Sequence, residues 1–192
     1  MAVCELGDIR TSSDGTTWTT ITSGTSNQLY GVSYGKSTFV AVGKSGTILT
    51  STDNTSWTTI TSGTSNDLYE VTYGNITFVT VSLSGDILTS SDGTSWISKT
   101  SGTTTYLRGV IYGNNTFVIV GHSGTILTLS DGTSWTSRIS ETTNSLYGVT
   151  YGNSTFVIVG LSGTIQTSSD GTSWTLGTSG TTNGLYGVTY ED

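Results

Sequence analysis

Residues 29–61 read LYGVSYGKSTFVAVGKSGTILTSTDNTSWTTIT. Four runs of β-forming residues alternate with short stretches of Gly, Ser, Asn, Asp and Lys, the pattern of strands separated by turns. Leu29–Gly35 predicts a first strand, A, ending in Gly. Thr38–Gly43 predicts strand B, apolar on both faces as a strand covered on both sides is. After the turn Lys44–Gly46 comes strand C, Thr47–Ser51, and after the turn Asp53–Thr55 comes strand D, Ser56–Thr61. No 3.6-residue period is present, so no helix is expected.

The unit recurs along the whole chain. Trp18, Trp57, Trp96, Trp135 and Trp174 stand 39 residues apart, as do Tyr34, Tyr73, Tyr112, Tyr151 and Tyr190. Residues 29–67 and 146–184 are identical at 28 of 39 positions. The 192 residues make five copies less three residues. Four-stranded units at this spacing predict an all-β, closed five-bladed β-propeller with four antiparallel strands per blade, a single domain over residues 1–192. The N-terminus enters in phase with strand B, Met1–Val3 aligning with Val40–Val42, and the C-terminus ends on a strand A, Leu185–Tyr190. These two ends are expected to complete one blade and seal the ring's edges. An open or domain-swapped solenoid is the alternative.

The C–D turn reads SSDGTTW (Ser12–Trp18), STDNTSW (Ser51–Trp57), SSDGTSW (Ser90–Trp96), LSDGTSW (Leu129–Trp135) and SSDGTSW (Ser168–Trp174). It resembles the Asp-box, or BNR, repeats of sialidase-like and photosystem-assembly-factor-like propellers, in a shortened form with Asp and Gly adjacent. The resemblance implies the propeller architecture in all five copies and leaves activity open, because this fold carries many functions. Asp14, Asp53, Asp92, Asp131 and Asp170 are read as structural: each carboxylate can accept hydrogen bonds from nearby turn amides, and the following Gly, or Asn54, supplies a positive φ.

Composition excludes several classes. Thr (42), Ser (30) and Gly (26) make half the chain, with no Pro and one Cys. A net charge of −7 with scattered Lys and Arg argues against nucleic acid. No apolar stretch is long enough to span a membrane. MAVCELGDIR lacks the regions of a signal peptide, so a cytoplasmic location is the default expectation. One carboxylate per turn falls far short of the roughly six to eight oxygens calcium takes, so no metal or cofactor is expected. The sialidase-type site that the resemblance brings to mind uses three converging arginines. Here Arg10, Arg108 and Arg138 occupy three different places in the repeat, and no catalytic residue is assigned.

Where the copies differ, function is sought. The most variable position precedes strand A (Gln28, Asp67, Tyr106, Ser145, Gly184). The next lies in the B–C turn (Glu5, Lys44, Leu83, His122, Leu161). In an up-and-down blade these two connections emerge on one face, and variable loops on a rigid scaffold are where binding usually sits. The pairs Asn27/Tyr30, Asn66/Tyr69, Asn144/Tyr147 and Asn183/Tyr186 are candidate ligand contacts, with an aromatic face for sugar C–H groups and amides for hydroxyls; copy 3 has Thr105 and Arg108 instead. The expected function is a monomeric, non-enzymatic, lectin-like binding module presenting several glycan sites on this face. The alternative is a repeat-amplified or engineered structural propeller with no ligand. Packing between blades is the competing role for the tyrosines. Glu70 and Arg108 are the only charges within a strand A, and they are expected to form an ion pair near the channel.

Overall fold

The computed structural model describes residues 1–190. Among these residues 19 strands form five antiparallel sheets. The first sheet holds β1 (Ala2–Val3), β2 (Ile9–Thr11) and β3 (Thr19–Ile21). The second holds β4 (Leu29–Gly35), β5 (Thr38–Gly43), β6 (Ile48–Ser51) and β7 (Thr58–Ile60). The third holds β8 (Leu68–Gly74), β9 (Thr77–Ser82), β10 (Ile87–Ser90) and β11 (Ile97–Lys99). The fourth holds β12 (Leu107–Gly113), β13 (Thr116–Gly121), β14 (Ile126–Leu129) and β15 (Thr136–Arg138). The fifth holds β16 (Leu146–Gly152), β17 (Thr155–Gly160), β18 (Ile165–Ser168) and β19 (Thr175–Gly177). Each strand pairs with its sequence neighbour, the up-and-down order of a propeller blade.

The chain divides into two compact units. Residues 1–82 and 87–99 hold the first three sheets, and residues 83–86 and 100–192 hold the other two. In each unit the B strands form the core. Thr116–Gly121 is buried at every position, which explains why its sequence does not alternate. Val40, Val42, Ile48, Leu68, Val71, Phe78 and Leu88 form one apolar cluster of the first unit. Val118, Val120, Ile126, Leu146, Phe156, Ile158 and Trp174 form one in the second. Strand D is shorter than its sequence implies, since Ser56 and Trp57 fall in the turn and only Thr58–Ile60 pairs with β6.

The first blade departs from expectation. It is a three-stranded sheet, and Leu185–Tyr190, expected as its fourth strand, forms no strand. The segment packs instead on β16 of its own unit. The Leu185 amide donates to the Gly160 carbonyl at 2.9 Å, and the Tyr190 ring lies over Gly152, where a Cβ would sit 2.2 Å from the ring. Two such seats occur between laddered blades: Tyr73 covers Gly35 and Tyr151 covers Gly113, with a Cβ 2.0 and 2.2 Å from the respective ring. Leu185–Tyr190 therefore docks on its neighbour as a strand A does.

Candidate functional site

One backbone irregularity places the site. The pairing of strands A and B skips a residue between Leu29 and Gly31, and again between Leu68 and Glu70, Leu107 and Gly109, and Leu146 and Gly148. The bulged residues are Tyr30, Tyr69, Arg108 and Tyr147. A bulge re-aims its side chain out of the strand's alternation. Tyr30 and Tyr69 stack at 4.8 Å between centroids, and Tyr147 and Tyr186 at 5.1 Å. The tyrosines thus pack on one another.

The two variable positions are hydrogen-bonded neighbours. The Lys44 amide donates to the Gln28 carbonyl, His122 to Tyr106, and Leu161 to Ser145, each at 2.8–2.9 Å. Below them the Asn27 side-chain amide donates to the Thr47 hydroxyl at 2.9 Å and Asn144 to Thr164 at 3.0 Å, while Thr105 meets Thr125 at 3.0 Å. These asparagine donors tie the D–A loop to the B–C turn and are already engaged. Asn66 has a partner as well, while for Asn183 it is the backbone amide that donates to the Thr181 hydroxyl. Asp67 bridges elements of the first unit, accepting from the Ser45 amide at 2.8 Å and lying 3.5 Å from the Tyr30 hydroxyl. Glu5 lies exposed in the turn after β1.

The second unit gathers the residues that depart most from the repeat. The Tyr106 and His122 rings lie 4.9 Å apart, and His122 stands edge-on to Tyr147 at 6.1 Å. Arg108 Nε donates to His122 Nε2 at 3.4 Å, and its guanidinium sits 6.0 Å from the Tyr147 ring centre, within cation–π range. Burial and then the Arg108 charge hold the His122 pKa below its ordinary value. A neutral imidazole with an accepting Nε2 fits the bond from Arg108. Tyr106 is 46% exposed and Tyr186 70% exposed. The patch thus carries two open aromatic faces flanking a positive charge.

Spacing alone did not join these side chains. Tyr106 and His122 stand at the variable loop positions, Tyr147 and Tyr186 among the tyrosine contacts, and Arg108 is the exception in copy 3. The bulge, invisible in the residue pattern, is what brings Arg108 to the loop residues. Glu70, the other charge within a strand A, belongs to the first unit. The partners of Glu70 are the Val71 amide at 3.2 Å and the backbone at Gly31, whose Cβ would lie 3.2 Å from Glu70 Oε1.

The five aspartates serve their turns. Asp92 Oδ1 accepts from the Thr94 amide at 2.8 Å and the Ser95 amide at 2.9 Å, and Asp14, Asp53, Asp131 and Asp170 repeat this geometry. Those amides pull the Asp92 pKa down to about 2 and the others well below the usual carboxylate range. Among the described residues no group of three or more His, Cys, Asp or Glu could hold a metal ion. Among the described residues no helix is long and apolar enough to cross a membrane.

No protein-family model matches the chain, and no curated protein matches it. Solved structures do. YCF48 bound to D1 peptide matches at 18% identity and a TM-score of 0.69 over 90% of this chain, which spans 61% of that one. Virginiamycin B lyase from Staphylococcus aureus matches at 13% identity and a TM-score of 0.72, covering 91% of this chain and 67% of that one. The computationally designed Ika4 protein matches at 14% identity and a TM-score of 0.63, covering 74% of this chain and 91% of that one. At such identities the likeness shows the fold: this is an all-β chain of the propeller class, with five blades.

Proposed function

We propose that the chain is a non-enzymatic binding propeller whose D–A and B–C loop face contacts glycans, with Tyr106, Arg108, His122, Tyr147 and Tyr186 at the centre of the contact surface. The observation that carries this reading is their convergence. Four separate segments of one unit supply them, and three of the five residues come from the copy that breaks the repeat. Exposed Tyr106 and Tyr186 faces suit sugar C–H groups, and the guanidinium and imidazole suit hydroxyls or an acidic substituent. Asn27 and Asn144 already donate to threonines, which supports one dominant patch over several equal ones. A solved neighbour that holds a peptide supports binding as a use of such a fold.

The second reading, a structural propeller without a ligand, is favoured by the stacked tyrosines and by the likeness to a designed propeller. A glycan array separates the two. Saturable binding that Tyr106→Ala or Arg108→Ala weakens at least about tenfold, the worth of one good contact, supports the first. A blank array from a stable monomer supports the second. Hydrolysis of an aryl glycoside or sialoside above background would overturn the non-enzymatic class.

A further inference from the structure

Apart from that patch, the second unit holds a cavity of about 410 Å³ at the outer edges of its two blades, lined in part by Ser137, Arg138, Ile139, Glu141, Ser173 and Trp174. Two of these residues break the repeat. Arg138 stands where the other copies have Ile21, Ile60, Lys99 and Gly177, and Glu141 where they have Gly24, Gly63, Gly102 and Gly180. Glu141 keeps the left-handed backbone of those glycines, with φ 50° against their 74° to 81°. A Cβ resists that conformation, and strain of this kind gathers at functional sites.

The two charges line one cavity and form no ion pair with each other. Arg138 Nε donates to the Thr128 hydroxyl at 2.8 Å, which fixes the guanidinium. Trp174 is the most buried of the five tryptophans, at 7% exposure. Its Nε1 has no partner, whereas in Trp18 and Trp96 that group donates to the carbonyls of Gly15 and Gly93. Ile139 is 78% exposed at the rim.

We propose that this cavity binds a small zwitterionic amino acid with an apolar side chain. Its carboxylate pairs with the terminal nitrogens of Arg138, its ammonium with Glu141, and its side chain lies against Ile139 and Trp174. A simple anion meets repulsion from Glu141 and a simple cation from Arg138. A neutral ligand makes no use of either charge. Adjacent opposite charges on one molecule answer both, and the volume is that of a small-ligand site.

The test follows the five indole N–H resonances of nitrogen-15-labelled full-length protein, with Trp174 assigned through Trp174→Phe. L-Leucine should shift the Trp174 resonance saturably. 4-Methylpentanoate, which lacks the ammonium, and isoamylamine, which lacks the carboxylate, should bind at least about tenfold more weakly. Arg138→Gln and Glu141→Gly should abolish the shift. Glu141→Gly restores the residue of the other four copies, so it should stay folded with its remaining indole resonances in place. Leucine that leaves Trp174 unmoved, 4-methylpentanoate that matches leucine, or Glu141→Gly protein that still binds each overturns the proposal. Glycan binding through the tyrosine patch is unaffected by any of these results.

Discussion

Glu70 holds a carboxyl where the other copies have Gly31, Gly109, Gly148 and Gly187. Burial against the neighbouring strand A raises its pKa from 4.5 to about 7, against a weaker opposing pull from the Val71 amide. The folded state therefore binds this proton more tightly than the unfolded chain does. Stability from this group is fully present below pH 4.5 and is lost as pH rises to about 7. A shift of that size corresponds to about 3 kcal/mol. Glu70→Gln should match the wild type near pH 4.5 and exceed it by that order above pH 7, read from denaturant unfolding across the range; a constant difference between the two proteins would refute the assignment. His122 works in the opposite sense, losing stability as pH falls through its ordinary range, so the comparison of Glu70 variants at each pH is the clean measurement. Gln166 offers a second case. It is fully buried where three other copies have Leu49, Leu88 and Leu127 and the first has Arg10; its amide nitrogen donates to the Ser140 carbonyl, and its Oε1 has no partner. An orphaned buried acceptor costs about 1–3 kcal/mol. Gln166→Leu should raise the melting temperature by a few degrees, roughly 2–4 °C per kcal/mol for a chain of this size.

At the scale of the element, strands and turns were legible because their causes are local. Strand B reads apolar on both faces and is buried on both, and the Asp turn announces its own hydrogen bonds. Two features could not be read there. The A–B bulge leaves no mark on residue type, since Tyr30 and Arg108 occupy the same bulge position. The glycine closing strand A reads as a turn residue, yet Gly113 is small because Tyr151 of the next blade covers it. Gly113→Ala should lower stability by about 1–3 kcal/mol, the cost of overpacking. A Cβ at Gly187 meets nothing within 4 Å, so Gly187→Ala should change stability by less than about 0.5 kcal/mol. Equal denaturation midpoints for the two variants would contradict the tyrosine seat.

For the molecule as a whole, the 39-residue period sufficed for the blade count and the pairing order. The site was less legible: its parts appeared in separate groupings, and the contacts that unite them depend on backbone geometry between blades. Near-identity brings its own hazard. Where 28 of 39 residues coincide between copies, a strand can meet the wrong partner at little loss, and repeat proteins misassemble in this way. Refolding from denaturant should give monomer when dilute and swapped oligomers as concentration rises, measured by size-exclusion chromatography with light scattering. Clean monomer at every concentration would show that Glu70, Arg108 and Glu141 are enough to mark the copies apart.

The tyrosine seated on a glycine has a consequence for inheritance. Three copies carry a ring that fits the glycine of the copy before, as between Tyr73 and Gly35, Tyr151 and Gly113, and Tyr190 and Gly152. A duplicated or deleted 39-residue segment brings both halves of that joint with it. Slippage in the gene by one full period therefore creates no new kind of junction, and the same property lets a single substitution such as Glu70 be confined to one copy while its siblings keep the joint intact.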